Sequence, residues 1–254
     1  MQAAFPTTDR RRAALFASLP GAQGMASAAL EGMGRVWTDS PAEPGCAVAA
    51  AGDFLLCGGR PGLSAAHLLR HAVRQEKREW IISGSDAWLA LAERMLPVER
   101  ITRWAFDHHV QPEDRRLREL LTNMPEGAEF RPIEGEWIGW CRRQAWSEDF
   151  VSLYSDESYA RRGLGFLLTV DGEAVAGAGS YVSYPGGIEV QLQTREDQQG
   201  RGYAVLAAAR LILAAHERGL VASWDAASPA SAHIACKLGY RPAGAYQALL
   251  VRKT

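Results

Sequence analysis

Hydrophobic and polar positions along this chain switch repeatedly between the alternation of a strand and the 3.6-residue repeat of a helix. Residues 1–30 are Ala-rich and predict helix. Residues 34–39 and 46–58 read as two strands joined by a turn through Pro41, Pro44 and Gly45. Ser64 predicts the cap of a helix reaching Gln75, and Trp80-Ile81-Ile82 a short apolar strand. Asp86 opens a helix with Leu89, Leu91, Ala92 and Leu96 at its apolar positions. A strand over 101–106 and a charged amphipathic helix over 112–123 follow. This alternation predicts an α/β layer.

The stretch Met124-Pro125-Glu126-Gly127 predicts a boundary between an N-terminal domain, 1–127, and a C-terminal domain, 128–254. Beyond it the pattern predicts a strand over 129–133, a helix over 135–144, a helical region from Ser147, and a strand over 166–170. Asp171-Gly172 is a hairpin turn into a strand ending near Tyr184, and Pro185-Gly186-Gly187 turns into a strand over 188–193. A long apolar helix runs over 202–218 with Gly219 as its stop. A strand over 221–224 precedes a short helix over 229–238, capped by Ser228 with Pro229 at its first position. The final strand region is 240–252.

Composition narrows the function classes. Of 254 residues, 47% are apolar and the net charge is −1, as for an ordinary globular protein. Basic residues are scattered, so neither Arg10-Arg11-Arg12 nor Arg161-Arg162 forms a nucleic-acid groove. No run approaches the roughly 18 apolar residues of a membrane span, and no secretory leader is visible, which predicts a cytoplasmic protein. Cys46, Cys57, Cys141 and Cys236 form no CxxC pair, so neither zinc nor a disulfide framework is expected. The residue pattern is silent on oligomeric state.

The segment Gln199-Gly200-Arg201-Gly202-Tyr203-Ala204 lies between a strand and the long helix. Such a turn points several backbone N–H groups at one spot, and the helix N-terminus adds partial positive charge, so it can cradle a pyrophosphate. Upstream, strand alternation places Glu189, Gln191 and Gln193 on one face and Val190, Leu192 and Thr194 on the other. Three polar side chains there read either as a wet cleft or as an exposed strand surface.

The element order after residue 128, with this turn opening the third helix, resembles the GNAT superfamily of acyl-CoA-dependent N-acetyltransferases. Gln199, Gly202 and Ala204 fill its Gln/Arg-x-x-Gly-x-Gly/Ala signature. The chain also resembles the family that includes zwittermicin A resistance acetyltransferases. That likeness is carried by Glu189, Thr194, Gly202, Trp224-Asp225-Ala226-Ala227, Ser231 and Lys237-Leu238-Gly239-Tyr240. Glu31-Gly32-Met33-Gly34 with Asp39, and residues 163–166, extend it into both halves.

The resemblance implies an α/β GNAT fold, a mixed sheet with flanking helices, preceded by a smaller α/β domain readable as a degenerate GNAT-like unit. It implies acetyl-CoA as donor, a small-molecule primary amine as acceptor and direct transfer without a metal. Glu189 would be the base, and the N–H near Leu192 would polarise the thioester carbonyl. Leu192, Thr194, Gln199, Gly200, Arg201, Gly202, Tyr203, Ala204, Ser228 and Ser231 would hold the cofactor, with Arg201 adding a charged contact to phosphate. The tyrosine that often protonates the leaving thiolate is replaced by Ala235. Ser231, four residues earlier on the same helix face, is the first substitute for orienting the thiol or a water, or else a helix-start serine bonded to its own backbone. Asp225 binds a substrate ammonium or caps a turn, and Tyr240 and Tyr246 line the acceptor pocket or the core. His233 projects from another helix face, and Cys236 reads as a buried thiol. His108 and His109 would point apart in a strand, which argues against one metal taking both. The competing reading is a non-catalytic acyl-CoA sensor or structural relative that keeps the turn and dispenses with the acid.

Overall fold

The structure, a computed structural model, describes residues 10–75 and 79–252. The first nine residues of the expected N-terminal helical stretch lie outside them. The chain forms two compact units, Met1–Ala105 with Gly244–Thr254, and Phe106–Ala243.

The first unit begins with helices α1 (Arg10–Leu15) and α2 (Gln23–Leu30). Strands β1 (Arg35–Thr38), β2 (Cys46–Ala51) and β3 (Phe54–Gly59) follow as an antiparallel meander. The single strand expected over 46–58 is therefore a hairpin. Gly52, at a φ of 51°, and Asp53 form the two-residue turn between Ala51 and Phe54, a Gly-Asp signal that the reading of one continuous strand passed over. Helix α3 (Ala65–Gln75), strand β4 (Trp80–Ile82), helix α4 (Asp86–Met95) and strand β5 (Val98–Phe106) complete the N-terminal part. Leu55, Leu69, Ile81, Trp88 and Leu249 share its core, and the Trp88 indole donates to Gly59 O at 3.0 Å.

The second unit starts with helix α5 (Asp114–Leu121), then β6 (Ala128–Pro132), α6 (Glu136–Arg142), α7 (Asp156–Arg162), β7 (Gly165–Val170), β8 (Glu173–Tyr184) and β9 (Gly187–Thr194). Helix α8 (Tyr203–Glu217), strands β10 (Val221–Ser223) and β11 (Asp225–Ala226), helix α9 (Pro229–Leu238) and strand β12 (Pro242–Val251) follow. The helical region expected from Ser147 is a 3-10 turn at Glu148–Phe150 and a separate α7, which Ser155 caps by accepting from the Ser158 N–H at 3.1 Å.

The units divide the chain elsewhere than the 127/128 boundary read from the sequence. Residues 106–127 group with the C-terminal unit because α5 docks on α8 and α9. Leu117 is fully buried, His216 Nδ1 lies 2.7 Å from Asp114 Oδ1, and Arg116 Nε donates to Lys237 O at 3.0 Å. Pro125 and its neighbours form only a tight turn into β6, with the Ala128 N–H on Pro125 O. The last residues of β12 group with the first unit, where β12 lies beside β4, Leu249 opposite Ile81.

The sheet of the second unit has the order β10-β9-β8-β7-β6. All its pairs are antiparallel except β9 with β10, which run parallel. Helix α8 covers one face, where Leu206 packs with Leu168, Val175 and Ala176. On the other face Gly177 and Gly179 leave room for the Phe150 ring, and a methyl at Gly177 would stand 2.6 Å from it. Cross-strand partners share a face, so Gln191, opposite Gly179, lies on the Phe150 side, and Glu189 follows by alternation. The expected Asp171-Gly172 hairpin turn is present, both residues at positive φ (51° and 82°).

Candidate active site

A parallel pair that separates creates the site. The β9–β10 pairing runs from Gly187 opposite Val221 to Glu189 opposite Ser223 and stops there. β9 continues to Thr194 with β8 alone. The Arg195 N–H donates to Val175 O, which fixes the direction of every group on β9 beyond the bulge at Tyr181. In an antiparallel ladder the bonded residues alternate, so Gln191 and Gln193 face β8. Val190, Leu192 and Thr194 turn their N–H and C=O groups the other way, into the gap that β10 leaves.

At the far end of that gap the chain enters the Gln199–Ala204 turn. Gly200 and Gly202 take left-handed conformations, at φ 78° and 81°, and a Cβ on either would meet no atom within 4 Å. They face open space. Gly202 is the N-cap of α8 and supplies no side chain to its first turn. Among the described residues, the backbone N–H groups of Gly200, Arg201, Gly202, Tyr203 and Ala204 have no hydrogen-bond partner within the chain. Five donors at the start of a 15-residue helix form a concentrated anion site.

All ten residues expected to hold a cofactor line one cleft of about 420 Å³: Leu192 and Thr194 from β9, Gln199 to Ala204 from the turn, and Ser228 and Ser231 from the start of α9. Gln193, Gln198, Ala230 and Ile234 complete it. Only Gln193 had a signal in the sequence, the polar alternation along β9. Ser228 caps α9 as expected, its Oγ accepting from the Ser231 N–H at 3.1 Å. Ser231 Oγ accepts from the Trp224 indole at 3.2 Å. An indole N–H only donates, so this bond occupies a lone pair and leaves the Ser231 proton for another acceptor.

Glu189 is only 6% exposed, at the closed end of the gap, which excludes the exposed-surface reading of its strand face. Burial then relaxes along β9, through half-buried Gln191 to exposed Gln193. Two buried phenols flank Glu189. Tyr184 shares a short hydrogen bond with Ser223 Oγ, and Tyr240 donates to Ala222 O at 2.8 Å. Burial first, and the Glu189 carboxylate second, hold both phenols far above their ordinary range, so both remain neutral. Trp224, 5.5 Å from Tyr240 between ring centroids, completes the wall. Sequence reading missed Tyr184 and Ser223, which lie 39 residues apart and meet only across the β9–β10 pair.

The remaining expectations divide. Asp225 is half-buried at the start of β11, outside the lining of the cleft. Tyr240 is 3% exposed and its hydroxyl is already used, so it belongs to the wall under Glu189. Tyr246 lies in the first unit, its hydroxyl accepting from Arg103 Nε at 3.3 Å. Ala235 is fully buried and His233 exposed. Cys236 is exposed, contrary to the buried-thiol reading, because its position on α9 turns it outward. His108 and His109 lie in a turn rather than a strand, their rings 4.3 Å apart, so strand alternation does not govern them. No group of three or more His, Cys, Asp or Glu side chains among the described residues is placed to hold a metal. No helix among them is long and apolar enough to cross a membrane.

Comparison with known proteins accounts for this arrangement. The family model for GNAT acetyltransferases matches residues 13–249, across both units. The chain is 36% identical to a GCN5-related N-acetyltransferase-like protein of Streptococcus suis 89/1591, whose crystal structure superposes with a TM-score of 0.80 over 88% of this chain and 90% of that one. A GCN5-related N-acetyltransferase from Kribbella flavida, 19% identical, shares the fold with a TM-score of 0.58 over 90% of this chain and 94% of its own. An uncharacterized N-acetyltransferase of Bacillus subtilis (strain 168), YdfB, is 26% identical over 184 residues, which span 68% of this chain and 66% of that protein. A family match that runs through both units, together with these structural likenesses, shows that the chain belongs to the GNAT acetyltransferase family.

Proposed function

We propose that this protein transfers an acetyl group from acetyl-CoA directly to a primary amine of a small molecule. The observation that carries the reading is the set of five unpartnered N–H groups at the start of α8, opening on the gap between β9 and β10. They suit a pyrophosphate, and Arg201, exposed beside them, adds a charged donor. Thr194 and Leu192 turn their backbone groups toward the same gap, which suits the amide-rich arm of the donor and its thioester carbonyl.

Acyl transfer forms a C–N bond and breaks a C–S bond. The amine gives up a proton to Glu189, directly or through a water, and attacks the thioester carbon. The carbonyl oxygen gains charge as this happens, and the Leu192 N–H is the donor aimed at it. The sulfur leaves with the electron pair and takes a proton from solvent water, which Ser231, its hydroxyl oriented by Trp224, helps to position. A thiol is acidic enough to leave without strong assistance, so Ser231 contributes less than Glu189. Asp225 is our candidate for binding the acceptor ammonium, with Tyr240 backing the acceptor side of Glu189. Resemblance to zwittermicin A resistance enzymes favours an aminopolyol or antibiotic-like acceptor.

Calorimetric titration with acetyl-CoA and with desulfo-CoA, followed by thiol release in the presence of primary amines, tests this reading. Binding of both donors and amine-dependent thiol release are expected. Donor binding without turnover on any aminopolyol, polyamine or aminoglycoside would make the protein an acyl-CoA sensor instead. Ser231→Ala should lower turnover about tenfold, at the low end for loss of assistance to proton transfer, with acetyl-CoA affinity little changed. Unchanged turnover would leave Ser231 only as the acceptor of the Trp224 indole.

A further inference from the structure

We infer that Gln198 is a further donor-binding residue, positioned by Arg195 through Asp197, and that its side-chain carbonyl oxygen accepts from an N–H of the bound acyl-CoA. The inference rests on the proposed donor cleft, whose lining includes Gln198 but whose backbone cradle begins only at Gly200.

The chain leaves β9 at Thr194 and makes one 3-10 turn, Glu196–Gln198, before the glycine turn. Arg195 opens it. The Arg195 N–H donates to Val175 O at 3.0 Å, and its C=O accepts from the Gln198 N–H at 2.9 Å. The half-buried side chain is fully engaged. Nε donates to Asp197 Oδ1 at 2.7 Å and Nη2 to Asp197 Oδ2 at 2.9 Å, a two-point fork on one carboxylate. Nη1 and Nη2 also reach Glu173 Oε2, at 3.4 and 3.3 Å, and Nη1 donates to Ala174 O at 3.3 Å. These bonds account for every N–H of a guanidinium. Arg195 therefore has no donor left for a phosphate, although it stands just before the cradle. Its work is to tie the 3-10 turn to the start of β8.

A single exposed ion pair would hold little. This one is bidentate, and its arginine is anchored as well to a backbone carbonyl and a second carboxylate. Hydrogen bonds from Arg195 first, and from Gln198 second, hold the Asp197 carboxyl down to about 2, so it is ionised at any physiological pH. An ionised carboxylate only accepts. Gln198 must then turn its amide nitrogen toward it, and Nε2 lies 3.0 Å from Asp197 Oδ2. That fixes an amide which would otherwise be free to turn over. Oε1 is left without a partner among the described residues, on a half-buried side chain that lines the donor cleft. An acceptor there complements the glycine turn. The turn supplies donors, which suit phosphate oxygens, whereas acyl-CoA also carries N–H groups on its adenine amine and its pantetheine amides.

Acetyl-CoA is titrated calorimetrically into the full chain and into Arg195→Lys, Gln198→Leu and the double variant. Gln198→Leu should weaken binding about fivefold, the worth of one hydrogen bond. Arg195→Lys keeps the charge but loses the planar fork, and should weaken binding by about as much. The double variant should bind within about twofold of either single one, because Arg195 acts through an amide that is no longer there. Neither side chain is fully buried, so all three variants should melt within a few degrees of wild type. Additive losses, or a lysine variant that binds like wild type, overturn the relay. Wild-type affinity in Gln198→Leu overturns the contact itself. The acetyl thioester of etheno-CoA, whose adenine amine is closed into a ring and has no N–H, identifies the donated group. A Gln198→Leu loss confined to acetyl-CoA assigns the contact to adenine, and an equal loss with both ligands assigns it to a pantetheine amide. Failure of wild type to bind acetyl-CoA would sink the donor-cleft reading and this inference with it. Tight binding by wild type and variants alike would sink this inference alone.

Discussion

Glu189→Gln lowers turnover at saturating acetyl-CoA by about 100-fold or more, the usual worth of a positioned general base, while acetyl-CoA affinity stays within about twofold. The exchange keeps shape and volume and removes only the ability to take a proton. Glu189 lies on the face of β9 opposite α8, at the closed end of the gap. The donor-binding groups lie farther along, from Leu192 to Ala204. That separation is why the variant should divide chemistry from binding. The fold should tolerate it. Glu189 is buried between two tyrosines that carry their own hydrogen bonds, Tyr184 to Ser223 and Tyr240 to Ala222, and neutralising a buried charge removes a desolvation cost. Stopped-flow or steady-state thiol release, with acetyl-CoA calorimetry on the same preparation, checks the result. Turnover equal to wild type would remove Glu189 from the mechanism and move the search for a base to Asp225.

Gly202→Asp weakens acetyl-CoA binding by about 100-fold or more, because it places a carboxylate where five N–H groups await a phosphate and like charges cannot share one anion site. The new side chain meets no protein atom within 4 Å, so the loss falls on the ligand rather than on packing. Its left-handed φ of 81° costs about 1–2 kcal/mol for an ordinary residue, and less for aspartate. An acidic N-cap on α8 offsets part of that strain by about 1 kcal/mol. The melting temperature should therefore fall by only a few degrees. Gly202→Ala carries the same backbone strain without the charge and should show a smaller affinity loss. If Gly202→Asp binds acetyl-CoA normally while folded, the phosphate cradle lies elsewhere.

The two variants differ in how far each depends on tertiary structure. The Gly202 cradle is local. Its N–H groups belong to consecutive residues, and the helix behind them follows from the apolar run of α8. The same is true of the Ser228-Pro229 start of α9, found where the residues predict it. Turn chemistry fixed the Asp171-Gly172 hairpin in the same way. Glu189 is intermediate. Alternation along β9 put it on a polar face, yet whether that face met water or protein depended on strands and helices far away in sequence.

By itself, then, the sequence determined what nearest neighbours decide: the type and order of most elements, the glycine turn that opens α8, and the Ser228 cap of α9. Backbone preference, capping and glycine conformation act within a few residues and leave a readable trace. Pairing and burial do not. Only the folded chain returned β12 to the side of β4, and drew α5 onto α8 so that the compact units part near residue 105 rather than 127. It also joined Tyr184 to Ser223 beneath Glu189 and turned Trp224 onto Ser231. Each of these rests on contacts between segments tens of residues apart, where the gain from burying apolar surface must outweigh the entropy of closing long loops. That balance is a property of the assembled core, and no local pattern records it.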